Sequence, residues 1–204
     1  KAQFPECDEN NNTNPDGGPG DDDSDPIPDT DTGPEDCNYD GARKTAITNQ
    51  VPSDFDQGSC NLDFVDFTAT VSGAVYDAGS ACGRCVRVYS PNTGKAIRAV
   101  ITAQCPAGSD TWCRPDSNDL SLDAEAMAAL GENGDKPLST EWYYIPCEGD
   151  GNVKFRIHRD ANDYWFAIQI RNHRNPVASV EVMQNDSWVQ TERKDWNYWV
   201  VEGG

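Results

Sequence analysis

Short apolar alternations, broken at close intervals by glycine, proline and asparagine, run from Gly41 to Cys147. Side chains on a strand point to opposite faces in turn, so a period of two with frequent turn residues predicts an all-β region. Strands are expected at Phe64 to Val71, Cys85 to Tyr89, Ala96 to Thr102 and Trp142 to Pro146, with Pro91-Asn92-Thr93-Gly94 as a hairpin turn. One helix interrupts the pattern. Asp119 to Gly131 offers Ser121 as N-cap, acids in its first turn, an alanine-rich body and a closing glycine. After Cys147, Glu148-Gly149-Asp150-Gly151 reads as a hinge. Alternation then resumes in Val153-Lys154-Phe155-Arg156-Ile157 and Trp165-Phe166-Ala167-Ile168-Gln169-Ile170, which predicts a second, smaller β domain.

Residues 1–40 follow neither period. Between Asp8 and Asp36 the one aliphatic residue is Ile27, so the stretch cannot bury enough surface to offset its ordering entropy and reads as an acidic, disordered or extended linker. It carries -12 of the chain's formal net charge of -19, whereas residues 152–204 hold seven Lys or Arg against seven Asp or Glu. Asp21, Asp22, Asp23, Asp25, Asp29 and Asp31 supply oxygen ligands of the kind calcium takes, but without the spacing of an EF-hand. A solvating spacer is the expectation, with no cofactor and no metal; calcium at this segment is the alternative.

The charge balance also excludes a class of partner. Sixteen Lys plus Arg against 35 Asp plus Glu would repel a phosphate backbone, so no nucleic acid is expected. No run of eighteen apolar residues occurs, so no membrane helix is expected either. The start at Lys1, with no initiator Met and no apolar leader, fits a mature secreted chain. Eight scattered cysteines point the same way. The one CxxC, Cys82-Gly83-Arg84-Cys85, lacks the second pair a zinc site needs, so four disulfides are expected.

Candidate chemistry lies in two places. Asp119 follows the turn-like Arg114-Pro115-Asp116-Ser117-Asn118, where a carboxylate at the mouth of a barrel can take hydrogen bonds from a hydroxylated ligand; a plain helix-cap role is the alternative. Asp63, Asp66, Asp77 and Asp123 are available as a second carboxylate, and spacing does not choose among them. Four of the six tryptophans, Trp165, Trp188, Trp196 and Trp199, lie in the last quarter of the chain. In Tyr164-Trp165-Phe166, neighbouring side chains must face opposite ways, so they cannot all enter one core. In Trp196-Asn197-Tyr198-Trp199, Trp196 and Tyr198 share a face and Trp199 takes the other. Uncovered rings suit sugars, whose C–H faces are apolar and whose hydroxyls stay wet; a Trp-rich core is the alternative. His158 and His173 have no ligand or nucleophile partner in sequence and read as surface residues.

Taken together, Cys82-Gly83-Arg84-Cys85, Val100-Ile101-Thr102-Ala103-Gln104-Cys105-Pro106, Asp119-Leu120-Ser121 and Tyr143-Tyr144-Ile145-Pro146-Cys147 resemble successive landmarks of the expansin and barwin-like double-psi β-barrel. Gly151 to Ile157, Ala167 to His173, Pro176-Val177 and Asp195-Trp196-Asn197 are similar to the second domain of microbial expansins. The resemblance covers roughly residues 41–201. It implies an all-β chain: an acidic disordered segment over 1–40, a six-stranded double-psi β-barrel over 41–148, and an immunoglobulin-like, carbohydrate-binding β-sandwich over 149–204. That sandwich reads as incomplete, because family second domains continue beyond the position of Gly204. The implied function is a secreted, extracellular, monomeric protein that binds cellulose, mixed-linkage glucan or xyloglucan and loosens wall networks without hydrolysis.

By the same resemblance Asp119 matches the barrel aspartate, Thr102 the threonine on the neighbouring strand, and Thr45 or Thr48 the threonine near the barrel's start. Tyr164, Trp165 and Trp196 fall where an aromatic platform holds a glucan chain. The pairings implied are Cys60 with Cys82 and Cys85 with Cys147, by similarity to plant members, and with them Cys105 with Cys113 and Cys7 with Cys37. Ala103 stands where relatives often carry a second acid, which argues against turnover, and Ala42 to Gly58 lacks the usual Thr- and Gly-rich opening. The competing readings are a glycoside hydrolase or lytic transglycosylase with Asp119 as general acid, and a barwin-like module that binds chitin or a protein.

Overall fold

The computed structural model describes residues 2–3, 43–51, 58–62, 67–105, 113–148 and 151–201. The acidic run from Asp8 to Asp36, the Cys7 and Cys37 pairing, and Asp63 and Asp66 lie outside the described residues. In chain order the elements are β1 (Ala2–Gln3), β2 (Lys44–Gln50), β3 (Thr68–Val71), α1 (Gly73–Tyr76), β4 (Cys85–Ser90), β5 (Lys95–Gln104), β6 (Leu120–Leu122), α2 (Ala124–Ala129), β7 (Leu138–Ile145), β8 (Lys154–Ile157), β9 (Ala167–Arg171), β10 (Ser179–Gln184), β11 (Ser187–Gln190), β12 (Glu192–Arg193) and β13 (Trp199–Val200).

Six strands close into a barrel in the order β2-β6-β3-β5-β4-β7. Two of its pairs, β2 with β6 and β3 with β5, are parallel, and the β3–β5 register shifts between Ala69 and Thr70. Along β5 the predicted alternation is realised: Ile97, Ala99, Ile101 and Ala103 are buried while their neighbours are less so. Val71, Val86, Val88, Leu120, Leu122, Met127 and Trp142 fill the core. The hairpin between β4 and β5 turns at Pro91 to Gly94, closed by Gly94 N donating to the Ser90 carbonyl at 2.9 Å.

Two local expectations need correcting. The helix does not begin at Ser121, because Leu120–Leu122 is a strand whose two leucines are buried between β2 and β3. Pairing with strands on both sides, which buries all three residues, outweighs the capping signal there. The helix starts at Ala124, with Asp123 as N-cap accepting from Ala126 N at 2.7 Å. Asp119 therefore precedes a strand rather than a helix. The strand β2 was not anticipated, because one of its inward positions is polar: Thr48 is buried and its hydroxyl is 2.6 Å from that of Thr140.

The second unit is a two-sheet sandwich, β1-β10-β11 against β12-β13-β9-β8. Ala2 and Gln3, at the amino end of the acidic segment, pair antiparallel with Val180 and Ser179 on β10. Ile170, Val177, Val180 and Trp199 form one buried cluster, and Ala167, Tyr198 and Val200 form another, against which Trp165 and Trp196 pack. Disulfides join Cys60 to Cys82, Cys85 to Cys147, and Cys105 to Cys113.

Barrel and sandwich meet through main-chain groups around the Cys60–Cys82 bond. The Cys60 carbonyl accepts from Gln169 Nε2 at 2.9 Å and from Asn197 Nδ2 at 3.1 Å. The Asn61 carbonyl accepts from Arg171 Nη2 at 2.7 Å, and Cys147 N donates to the Arg174 carbonyl at 2.9 Å. The Tyr76 hydroxyl donates to the Asp195 carbonyl. His173, expected at the surface, is instead buried against Gly83, where a Cβ would lie 3.0 Å from Nε2. Burial pushes its pKa down, opposed by the hydrogen bond with the Asn175 carbonyl and reinforced by Arg193. Its environment, a main-chain contact from the other domain, has no trace in the local sequence.

Candidate functional site

Asp119 is placed by the start of β6 against β2, and its carboxylate is only 2% exposed. Arg114 reaches it in a fork, Nε to Oδ2 at 2.7 Å and Nη2 to Oδ1 at 3.0 Å. Arg114 N adds a bond to Oδ2 at 3.2 Å and Ile47 N one to Oδ1 at 3.0 Å. Burial alone would raise the pKa, but Arg114, then the Ile47 N–H, Ser117 and the Arg114 N–H, hold the carboxyl well below the usual carboxylate range. The group is thus an ionised acceptor. It has no proton to give near neutral pH. The guanidinium, whose side chain is largely exposed, is what this corner presents to solvent. The sequence reading passed over Arg114; its signal was a basic residue opening the turn that ends in Asp119.

The threonines take different positions. Thr48 faces the core, while Thr45 is exposed on the other side of β2, opposite Glu141. Thr102 is half-buried, and its carbonyl accepts from Cys60 N at 3.0 Å. Gly58 seals this contact: its φ is +59°, and a Cβ would lie 2.5 Å from the Thr102 carbonyl oxygen, so no other residue fits. Neither described candidate for a second carboxylate joins Asp119. Asp123 is occupied by Ala126 N and by the Thr68 N–H and hydroxyl, and Asp77 accepts from Ser80 on an exposed turn. Ala103 is buried in the barrel.

The aromatic residues gather at one end of the sandwich. Asn162 and Trp165 close a tight turn through paired backbone bonds of 2.9 and 3.3 Å, and Asn162 Oδ1 accepts from Tyr164 N at 2.9 Å. Tyr164 is therefore at a turn tip, 85% exposed, and the strand alternation expected to place it does not apply before Ala167. Trp165 and Trp196 are half-buried, with planes 17° apart and centroids 6.5 Å apart. Trp196 also lies over the buried Tyr198 at 4.8 Å, while Trp199 turns into the other cluster. The Trp196 carbonyl accepts from Asn61 Nδ2 at 3.1 Å, which ties the rings to the barrel loop that also contacts Thr102. A cleft of about 260 Å³ opens beside them, lined among others by Tyr164, Trp165, Phe166, Val182 and Met183. His158, read as an idle surface residue, is half-buried among these rings. Among the described residues no group of three or more His, Cys, Asp or Glu is placed to hold a metal ion, and no helix is long and apolar enough to cross a membrane.

A closed six-stranded barrel joined to a two-sheet sandwich is a fold this chain shares with a solved expansin. The chain matches the crystal structure of apo expansin from Clavibacter michiganensis with a TM-score of 0.68 at 21% identity, over 79% of each chain. An aspartate-to-asparagine mutant of that protein, solved in complex with cellohexaose, matches equally well. In sequence the chain is 29% identical over 137 residues to expansin-like protein 1 of Dictyostelium discoideum, covering 66% of this chain and 47% of that one. It is 31% identical over 81 residues to expansin-YoaJ of Bacillus subtilis (strain 168), covering 40% and 35%. No family model matches. The chain thus has the fold of the solved expansin and is similar in sequence to expansin-like proteins, and it spans about half or less of the length of these curated relatives.

Proposed function

We propose that this chain is a secreted, expansin-like protein that binds cellulose and related glucans and loosens wall polysaccharide networks without cutting them. The observation that carries this reading is the near-parallel indole pair of Trp165 and Trp196, backed by Tyr198 and flanked by the exposed Tyr164. Flat rings set nearly in one direction match the apolar faces of successive sugars, and burying those faces supplies affinity without charge. Cello-oligosaccharide is the ligand of choice because a structure of the same fold was solved with cellohexaose. Mixed-linkage glucan and xyloglucan follow as related ligands. The barrel, residues 41–148, would grip a chain through Arg114 and Asp119, and the sandwich, residues 149–204, would dock on the insoluble polymer. No cofactor takes part in this reading.

Non-hydrolytic action is favoured by the state of Asp119, since an inverting or retaining glycosidase needs a protonated acid and a second carboxylate. Here the acid is held ionised, and Asp123 and Asp77 are engaged elsewhere. Secretion is favoured by the three disulfides among the described residues, which persist in oxidising compartments. The test is pull-down on insoluble cellulose with parallel measurement of released sugar. The Trp165→Ala, Trp196→Ala variant should lose about tenfold or more in binding, about 1.4 kcal/mol or more, while neither protein releases oligosaccharide. Unchanged binding would remove the platform, and sugar release abolished by Asp119→Asn would make the protein an enzyme.

A further inference from the structure

His158 follows β8, and its backbone N donates to the Ala167 carbonyl at 2.9 Å, continuing the β8–β9 ladder by one residue. With Lys154 and Arg156 it forms the i, i+2, i+4 row of one strand face, so its side chain leaves the sheet on the side of Ala167. That side is the one on which Trp165, Trp196 and Tyr198 cluster. The imidazole meets all three edge to face: Trp165 at 5.1 Å and 90°, Trp196 at 5.5 Å and 75°, and Tyr198 at 5.2 Å and 80°. The two indoles are 6.5 Å apart and 17° from parallel, so the imidazole is the apex of a triangle whose base is the line between them.

One ring perpendicular to two nearly parallel rings is in edge-to-face geometry with both at once. A positive ring edge against a negative ring face is the preferred aromatic geometry, and the perpendicular imidazole meets it with both indoles as they stand. The backbone holds the imidazole in turn. Asp160 N donates to Nδ1 at 3.2 Å, so the neutral ring carries its proton on Nε2, and the Asp160 carboxylate lies 3.7 Å from Nδ1. The residues joined in this way come from three separate segments: the end of β8, the Asn162–Trp165 turn, and the stretch from Trp196 to Tyr198.

We propose that His158 is the positioning residue of the glucan platform: its ring props the undersides of Trp165 and Trp196 so that their outer faces present one surface to a polysaccharide. This rests on the platform reading of the indole pair. The indoles alone would rotate about their χ angles, and a flexible pair would have to be ordered at the moment of binding, which weakens association.

The test uses the full chain with His158→Ala, His158→Phe and the Trp165→Ala, Trp196→Ala variant, measuring cellulose binding, near-ultraviolet circular dichroism and thermal unfolding. His158→Ala should bind at least about fivefold more weakly and lose the part of the dichroism spectrum that a Trp165→Ala variant also lacks, because coupling between parallel indoles depends on their mutual angle. His158→Phe, which restores a flat ring without its nitrogens, should recover both signals. Wild-type binding by His158→Ala overturns the proposal, as does a His158→Phe that remains as weak as His158→Ala, which would assign the residue to a direct polar contact with the ligand. A His158→Ala that unfolds is decided by the His158→Phe comparison. Unchanged binding by the double tryptophan variant removes the platform itself and is separate from either outcome.

Discussion

Asn197 offers a quantitative probe of how the sandwich is docked. It is buried, has φ of +63°, and donates through Nδ2 to the Cys60 carbonyl 137 positions away. Asn197→Ala removes two things: a neutral buried hydrogen bond, about 1 kcal/mol, and the local side-chain bonding that lets Asn accept left-handed backbone, again about 1 kcal/mol. The expected loss is about 2 kcal/mol, or about 4–8 °C in melting temperature for a chain of this size. Asn197→Gly removes the bond but relieves the backbone, so it should cost about half as much. The Cys60 carbonyl still has Gln169 Nε2 in either variant. Adding Gln169→Ala to Asn197→Gly orphans that buried oxygen, and the pair should cost about 1 kcal/mol more than the two changes separately. Thermal and denaturant unfolding of the wild type and the four variants measures each term. Equal losses for Asn197→Ala and Asn197→Gly would refute the backbone contribution, and strict additivity with Gln169→Ala would refute the shared carbonyl.

Acid should destabilise the fold in two stages. The folded pKa of His173 lies below its unfolded value of about 6.5, so below that pH the unfolded chain binds a proton the folded chain refuses, and stability falls; melting curves between pH 7.5 and 5 should show this decline, and His173→Gln should flatten it. The depressed Asp119 contributes stability that is present above its unfolded pKa of about 3.9 and is lost as pH falls below it; a second decline there should be absent from Asp119→Asn, and its persistence would show that Arg114 does not hold the carboxylate. Cys85 and Cys147 close a loop of 62 residues, which constrains the unfolded chain by about 4 kcal/mol. Replacing both with alanine should lower the melting temperature by roughly 8–16 °C, and should also loosen the backbone bond from position 147 to the Arg174 carbonyl, read as faster amide exchange at position 147.

Much of the architecture was legible because its signals are local. The alternation along β5, the Pro91–Gly94 turn and the β8 and β9 runs each follow from neighbours within a few residues, since strand pleat and turn dihedrals depend on little else. The limits were equally physical. Leu120–Leu122 carried a helix signal and became a strand, because pairing with β2 and β3 from elsewhere in the chain buried both leucines. The tight turn ending at Trp165 looked like a strand end, because the Asx bond from Tyr164 N to Asn162 Oδ1 competes with pairing at a level that alternation does not register.

Residue types marked Asp119 and the C-terminal aromatics as candidates, and the resemblance to expansins singled out Tyr164, Trp165 and Trp196 among them. Their roles waited on contacts between distant segments. That Asp119 is ionised comes from the Arg114 fork and the Ile47 N–H, and that the indoles are parallel comes with a histidine that no motif marked. Periodicity records which face a side chain leaves from; closure of the barrel and docking of the sandwich decide what it meets there, because those contacts join positions up to 137 residues apart.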